Sequence, residues 1–331
     1  MARIRLGAVV VAEGRLETEL DGLRRALGDE GIGRVPPHVT LVPPVNVRHG
    51  DRASALGVLR AAAAATEPFT LGLGPARTFL PETPVVFLAV GGDERSGAAD
   101  DATGRGADMI GALRDRVFRA PLARELTYDF VPHLTLVPDA APDRIEAAVA
   151  ALADYRATMA VRRLVLLQER MLDGGGRVWE PWADALLDAE AVVGRGGLEL
   201  VLTGSTIVDP EAAAMVGAEL DGHRLPDGWR RAPGRIVVTA RRDREVVGVA
   251  RATVGPDDAR LDLLLVARAH RDEGVGSQLV ARLLALVGRP VTARRPPGDR
   301  IGAFLAGRGW RLRGTLELAD GRFDDLEAPF V

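Results

Sequence analysis

The chain has 331 residues, 47% hydrophobic and 27% charged, which is an ordinary globular composition long enough for two domains. Its net charge is −3, with 22 Arg against 25 acidic residues in 1–187 and a balance in 188–331, so neither half has the basic surface that tracks long nucleic acid. Cys and Lys are both absent, which excludes disulfides, thiolate metal sites, cysteine nucleophiles, a phosphate-loop Lys and a pyridoxal Schiff base.

The N-terminal segment MARIRLGAVVVAEG reads as a first strand at Ile4–Val11, not as a signal peptide, and no apolar run approaches the ~20 residues of a membrane span. A cytoplasmic protein without membrane contact is expected. An amphipathic helix follows at Leu16–Leu27, then a strand at His38–Val42 stopped by Pro43 and Pro44. A helix near Arg52–Thr66 and strands at Phe69–Leu73 and Val85–Val90 come next. Residues 91–106, rich in Gly, Ala and Asp, read as a mobile surface loop.

The same order then returns, with a helix at Met109–Phe118, a strand at His133–Val137 stopped by Pro138, and a helix at Pro142–Ala153. Strands near Val161–Gln168 and Trp182–Leu187 close a first domain at 1–187. Two similar halves point to an internal duplication. Residues 188–197 (DAEAVVGRGG) read as a linker. A second α/β unit at 198–331 has a strand at Leu198–Leu202, helical Pro210–Leu220, and strands at Arg235–Ala240, Val246–Val254 and Leu261–Val266. The helix Gly276–Val287 and a further strand, helix and closing strands complete it. The fold class is α+β.

Each half of the first domain carries one phrase, Pro37-His38-Val39-Thr40-Leu41-Val42-Pro43 and Pro132-His133-Leu134-Thr135-Leu136-Val137-Pro138. Side chains alternate along a strand, so His and Thr at i and i+2 point the same way while Val39, Leu41, Leu134 and Leu136 pack behind. Histidine titrates near ~6.5, so one imidazole can take a proton while the other gives one. The Thr hydroxyls suit the non-bridging oxygens of a phosphodiester. Single His-x-Thr phrases are commonplace and structural. Two copies in matched settings point to catalysis by His38, Thr40, His133 and Thr135. No carboxylate/His cluster at metal-ligand spacing lies near either strand, and no metal is expected. Arg34, Arg124 and Tyr128 lie upstream of the two strands as weaker candidates for phosphate or base, and Phe130 reads as core.

Residues 1–187 resemble the 2H phosphoesterase family, which includes bacterial 2′–5′ RNA ligase-like proteins and cyclic nucleotide phosphodiesterases. The resemblance implies a bilobal domain with two antiparallel sheets and both His-x-Thr pairs in a central groove. It implies opening of 2′,3′-cyclic phosphates or chemistry at 2′–5′ linkages without a metal, on a small phosphodiester or an RNA end. Which His is acid and which is base stays open.

In the second unit, Arg271-Asp272-Glu273-Gly274-Val275-Gly276-Ser277 follows an apolar strand and opens a helix. Its glycines allow a tight turn whose amides, with the helix dipole, can cradle a pyrophosphate without Lys. The same turn can also be a plain tight connection. Residues 198–331 resemble the GNAT family of acyl-CoA-dependent N-acetyltransferases on this phrase and on Asp299–Trp310 (DRIGAFLAGRGW). The resemblance implies a mixed α/β domain using acetyl-CoA and an amine acceptor. It implies that Leu264, Leu265 and Val266 pair with the pantetheine arm while amides of Asp272–Ser277 hold the pyrophosphate. The family's frequent Tyr would fall at Leu305, and Asp262 is the only local carboxylate for a general base. Three readings follow: a bifunctional enzyme, a phosphodiesterase with an acyl-CoA-sensing domain, or an acetyltransferase with a nucleotide-binding module.

Overall fold

The computed structural model describes residues 2–91, 101–195, 198–220, 229–230, 234–243 and 245–329. The chain divides into two compact units, Met1–Asp188 and Ala189–Val331. The first runs β1 (Arg3–Val11), α1 (Arg15–Ala26), β2 (His38–Arg48), α2 (Arg52–Ala64), β3 (Phe69–Phe79), β4 (Thr83–Val90), α3 (Asp101–Val117), β5 (His133–Val137), α4 (Pro142–Ala151), β6 (Ala157–Val161), β7 (Arg163–Met171) and β8 (Arg177–Leu186). The second runs β9 (Glu190–Arg195), β10 (Leu198–Ser205), α5 (Pro210–Glu219), β11 (Arg235–Arg242), β12 (Glu245–Val254), β13 (Ala259–Val266), α6 (Val275–Val287), β14 (Val291–Arg295), α7 (Arg300–Ala306), β15 (Arg311–Leu318) and β16 (Gly321–Glu327).

In the first unit the strand order is β6-β3-β4-β5-β2-β1-β7-β8, antiparallel throughout. The two sheets expected of a bilobal domain are its halves, β2-β1-β7-β8 and β5-β4-β3-β6. They join at one register pair, Val39↔Leu134. Each half repeats strand, helix, His-bearing strand: β1-α1-β2 and β4-α3-β5. Alternation on β1 sets the two faces. Ile4, Leu6, Ala8 and Val10 enter the main core, while Val9 and Val11 join Val165, Leu167, Val35 and Trp179 on the opposite face.

Three expectations need correcting. Strand β2 does not stop at Pro43 but runs to Arg48, because Val42 pairs with Ala8 and Val45 with Leu6, leaving Pro43 and Pro44 in a bulge where no ladder N–H is needed. The expected loop 91–106 is helical from Asp101; residues 92–100 lie outside the described residues. Gly106 is what lets that helix lie close on β3, since a Cβ there would stand 2.4 Å from the Thr70 carbonyl oxygen. The expected linker contains β9, paired antiparallel with β10 from Glu190↔Thr203 to Arg195↔Leu198; its residues 196–197 lie outside the described residues.

The second unit orders its strands β15-β16-β14-β13-β12-β11-β10-β9. Strands β13 and β14 are parallel and pair only at Ala259↔Val291 and Arg260↔Thr292. Beyond that point they diverge, so β13 stays paired with β12 as far as Val266↔Gly248 while its other edge has no strand partner among the described residues. Helix α6 packs on β11, β12 and β13 through Val275, Leu279 and Leu283, and Gly248 makes room for Leu279. Among the described residues no helix is long and apolar enough to cross a membrane.

Candidate functional site

Strands β2 and β5 bring the four residues of the repeated phrase together. Val39, Leu41, Leu134 and Leu136 are buried behind the strands, and His38, Thr40, His133 and Thr135 are half-buried on the opposite face. The antiparallel pair Val39↔Leu134 sets His38 across from Thr135 and Thr40 across from His133. A local two-fold therefore relates the two phrases.

Both imidazoles are held in the same way. His38 Nδ1 lies 2.7 Å from the Pro36 carbonyl oxygen and His133 Nδ1 lies 2.7 Å from that of Val131. A carbonyl only accepts, so each Nδ1 carries the hydrogen and each neutral ring keeps an Nε2 lone pair. Neither Nε2 has a partner within the described protein. Burial pushes the pKa of both rings down, against the carbonyl bond that favours the charged form. For His38 the charges of Arg24 and His133 push the same way.

The surroundings of the two rings differ. Phe79 and Phe87 stack at 4.1 Å and meet the His133 ring edge-on at 4.9 and 5.3 Å. Beside His38 the wall is Val11, Val9, Val165, Leu167 and the half-buried Trp179. Buried Arg24 of α1 braces this side: Nε donates to Asp29 (2.8 Å), and Nη1 donates to Asp21 (3.0 Å) and to the Val35 carbonyl (3.1 Å). Neither Arg24 nor Trp179 was singled out from the sequence. Alternation within RIRLGAVVV and around Trp179 was the available signal. Of the weaker candidates, Arg34 is exposed and its carbonyl accepts from the Trp179 amide, while Tyr128 is exposed beside Phe130 and Arg114. Phe130 packs against the main core.

In the second unit a cleft opens where β13 leaves β14. Leu264, Leu265, Val266, Arg271, Asp272, Gly274, Gly276 and Ser277 line it, with Arg300, Phe304 and Arg308 of the α7 region opposite. Asp272 and Gly274 have positive φ (66° and 94°), which turns successive amides to one side ahead of α6. Ser277 Oγ is buried without a hydrogen-bond partner. Two residues of the phrase turn elsewhere: Val275 is core, and Glu273 faces Arg242 and His270.

Asp262 does not line the cleft. It is the extra residue of a bulge on β13, since Arg251 pairs with Leu263 and Ala252 with Leu261. Its Oδ1 accepts from Arg251 Nε and its Oδ2 from Thr253 Oγ1, both at 2.6 Å. Both oxygens are thus engaged, which is a structural use of the carboxylate. Leu305 is fully buried, and the neighbouring side chain on the cleft is Phe304.

Residues 12–171 match the 2′-5′ RNA ligase superfamily and residues 208–292 match the Acetyltransferase (GNAT) family. A Bacillus cereus (strain G9842) protein that carries a phosphoesterase name is 30% identical over 133 residues, covering 40% of this chain and 69% of that protein. Escherichia coli LigT, solved with 3′-AMP, aligns with TM-score 0.40 and 20% identity over 56% of this chain and 99% of its own. The ribosomal-protein-S18-alanine N-acetyltransferase of Escherichia coli aligns with TM-score 0.31 and 15% identity over 38% of this chain and 90% of its own.

Proposed function

We propose that this chain, which belongs to the 2′-5′ RNA ligase superfamily through residues 12–171, is a phosphodiesterase acting on 2′,3′-cyclic phosphates or 2′–5′ linkages, joined to a GNAT-family unit that takes acetyl-CoA. The observation that carries the first part is the pair of matched Nδ1-to-carbonyl bonds, which leave two unpartnered Nε2 atoms across one groove. One neutral Nε2 accepts the proton of an attacking water. The other ring, protonated, donates to the ribose oxygen as its bond to phosphorus breaks, so the two rings exchange protonation states in each turnover. Thr40 and Thr135 donate to the non-bridging oxygens. The reading needs no metal.

Phosphorus NMR of the protein with a panel of 2′,3′-cyclic nucleotides, with and without chelator, tests it. Ring opening with chelator present is expected, and its absence across the panel sinks the assignment. The same assay carries a pH prediction. Catalysis needs one ring neutral and one protonated, and the free-enzyme pKa of both lies below the ordinary ~6.5. As pH rises through the higher of the two values the acid is lost, so kcat/KM is expected to peak below ~6.5. A profile still climbing at pH 8 contradicts this pairing.

For the second unit, the unpaired edge of Leu264–Val266 suits a pantetheine arm, and the Asp272–Ser277 turn with Ser277 Oγ suits a pyrophosphate. Acetyl-CoA, when bound, supplies the activated acyl group. Gly274 holds φ 94°, in the left-handed region, and an L-residue there costs roughly 1–2 kcal/mol in strain. Gly274→Val is expected to weaken CoA binding about tenfold by titration calorimetry. Unchanged affinity removes the turn from the cofactor site. One observation favours a sensing role over transfer: Asp262 is tied to Arg251 and Thr253, and both Tyr of the chain lie in the first unit. An acceptor screen for free thiol release separates the two, since sensing predicts binding without turnover.

A further inference from the structure

The groove face of the first unit continues past the His pairs along β1. Its odd-numbered residues share that face: Val11 and Val9 stand beside His38 and Thr40, then come Gly7 and Arg5. Arg5 is four residues from Val9, about 13 Å by the strand rise. Trp179 fills the interval. A Cβ on Gly7 would stand 3.9 Å from its ring, and the Arg5 guanidinium carbon is 5.9 Å from its centroid.

At this far end Arg5, Asn46, Arg124, Glu169 and Arg177 line one open hollow. They come from three separate parts of the chain: neighbouring strands β1 and β2, the loop before β5, and the β7–β8 hairpin. The charges do not balance. Arg5 (3.1 Å) and Arg177 (3.7 Å) share the single carboxylate of Glu169, and Arg124 has no ion-pair or hydrogen-bond partner among the described residues. Ion pairing alone explains two guanidiniums on one acid. It does not explain a third cation, exposed and unpaired, held against them by a different segment.

We propose that Arg5, Arg124 and Arg177 form a second phosphate-binding subsite, so that the groove takes a short oligonucleotide whose terminal phosphate lies at the His pairs and whose next phosphates reach the arginines. Trp179, between the two ends, offers a ring face to an intervening base. The proposal rests on the His pairs being a phosphate site. It selects an oligonucleotide end over a cyclic mononucleotide as the preferred substrate.

The test uses mono-, di- and trinucleotides ending in a 2′-phosphate or a 3′-phosphate, the two possible products of ring opening, neither of which has a cyclic phosphate to open, titrated into the full chain at low salt. The trinucleotide is expected to bind about tenfold more tightly than the mononucleotide, and the ratio to shrink as salt rises. In Arg124→Ala the ratio is expected to fall toward one, and in Arg124→Glu below one. A length-independent affinity in the wild type, or a ratio untouched by both variants, overturns the subsite while leaving the His-pair site standing. Absence of binding by all of these ligands overturns both.

Discussion

Replacing His38 or His133 by Ala is expected to lower cyclic-phosphate turnover by about 10²–10⁴-fold, the usual contribution of a positioned general acid or base. The two substitutions are expected to cost similar amounts, because the local two-fold gives each ring the same anchor and the same opposing Thr. Removing both is expected to cost little more than removing one, since a proton relay missing either end does not run. Each ring is half-buried at the surface of a strand, so its loss leaves the core intact. Added imidazole is the control that a folding defect does not satisfy: partial rescue of His133→Ala supports proton transfer at that position. Near-wild-type rates in both variants would remove the His pairs from the reaction.

Arg24→Ala is expected to destabilise the first unit by about 3–5 kcal/mol, the cost of leaving one partner of a buried pair uncompensated. The side chains of Arg24 and Asp29 are 6% and 3% exposed, and the guanidinium also holds Asp21 and the Val35 carbonyl. For a unit of this size the thermal midpoint should fall by on the order of 10 °C. The Val35 contact gives the substitution a second, separable effect. Val35 immediately precedes Pro36, whose carbonyl orients His38, so Arg24 is a positioning residue for that ring. Assayed well below its midpoint, the variant is expected to lose kcat more than it raises KM. An apolar replacement of the pair, Arg24→Met with Asp29→Leu, is expected to recover much of the stability but not the kcat. Equal recovery of both would reduce Arg24 to a purely structural role.

What the sequence made legible followed from period and repetition. His-x-Thr on a strand with apolar residues between puts His and Thr on one face, and its second copy pointed to the duplication. The Gly-rich turn was legible because positive φ leaves its mark as glycine, though Asp272 adopts the same region without that mark. What stayed hidden depended on partners distant in sequence. Pro43 and Pro44 look like a strand stop until pairing with β1 places them in a bulge of β2. Helix α3 begins in a run that reads as loop, and Gly106 is explained only by the approach of Thr70. Asp262 is the one local carboxylate in the sequence, and its ties to Arg251 and Thr253 of the neighbouring strand do not show there. Arg5 and Arg177, 172 positions apart, share a carboxylate only once β1 and β7 pair.

The two-fold through Val39↔Leu134 has a consequence for direction. In an in-line displacement at phosphorus the entering and departing oxygens occupy opposite apices. A groove that offers an imidazole and a hydroxyl from each half treats the two apices alike, so the residue that withdraws a proton on the way in can restore it on the way back. Bond making and bond breaking then use one set of groups in swapped order, as microscopic reversibility requires. In the proposed reaction, net flow is set by whether water or a ribose hydroxyl fills the entering apex, and by the concentrations of the species on either side.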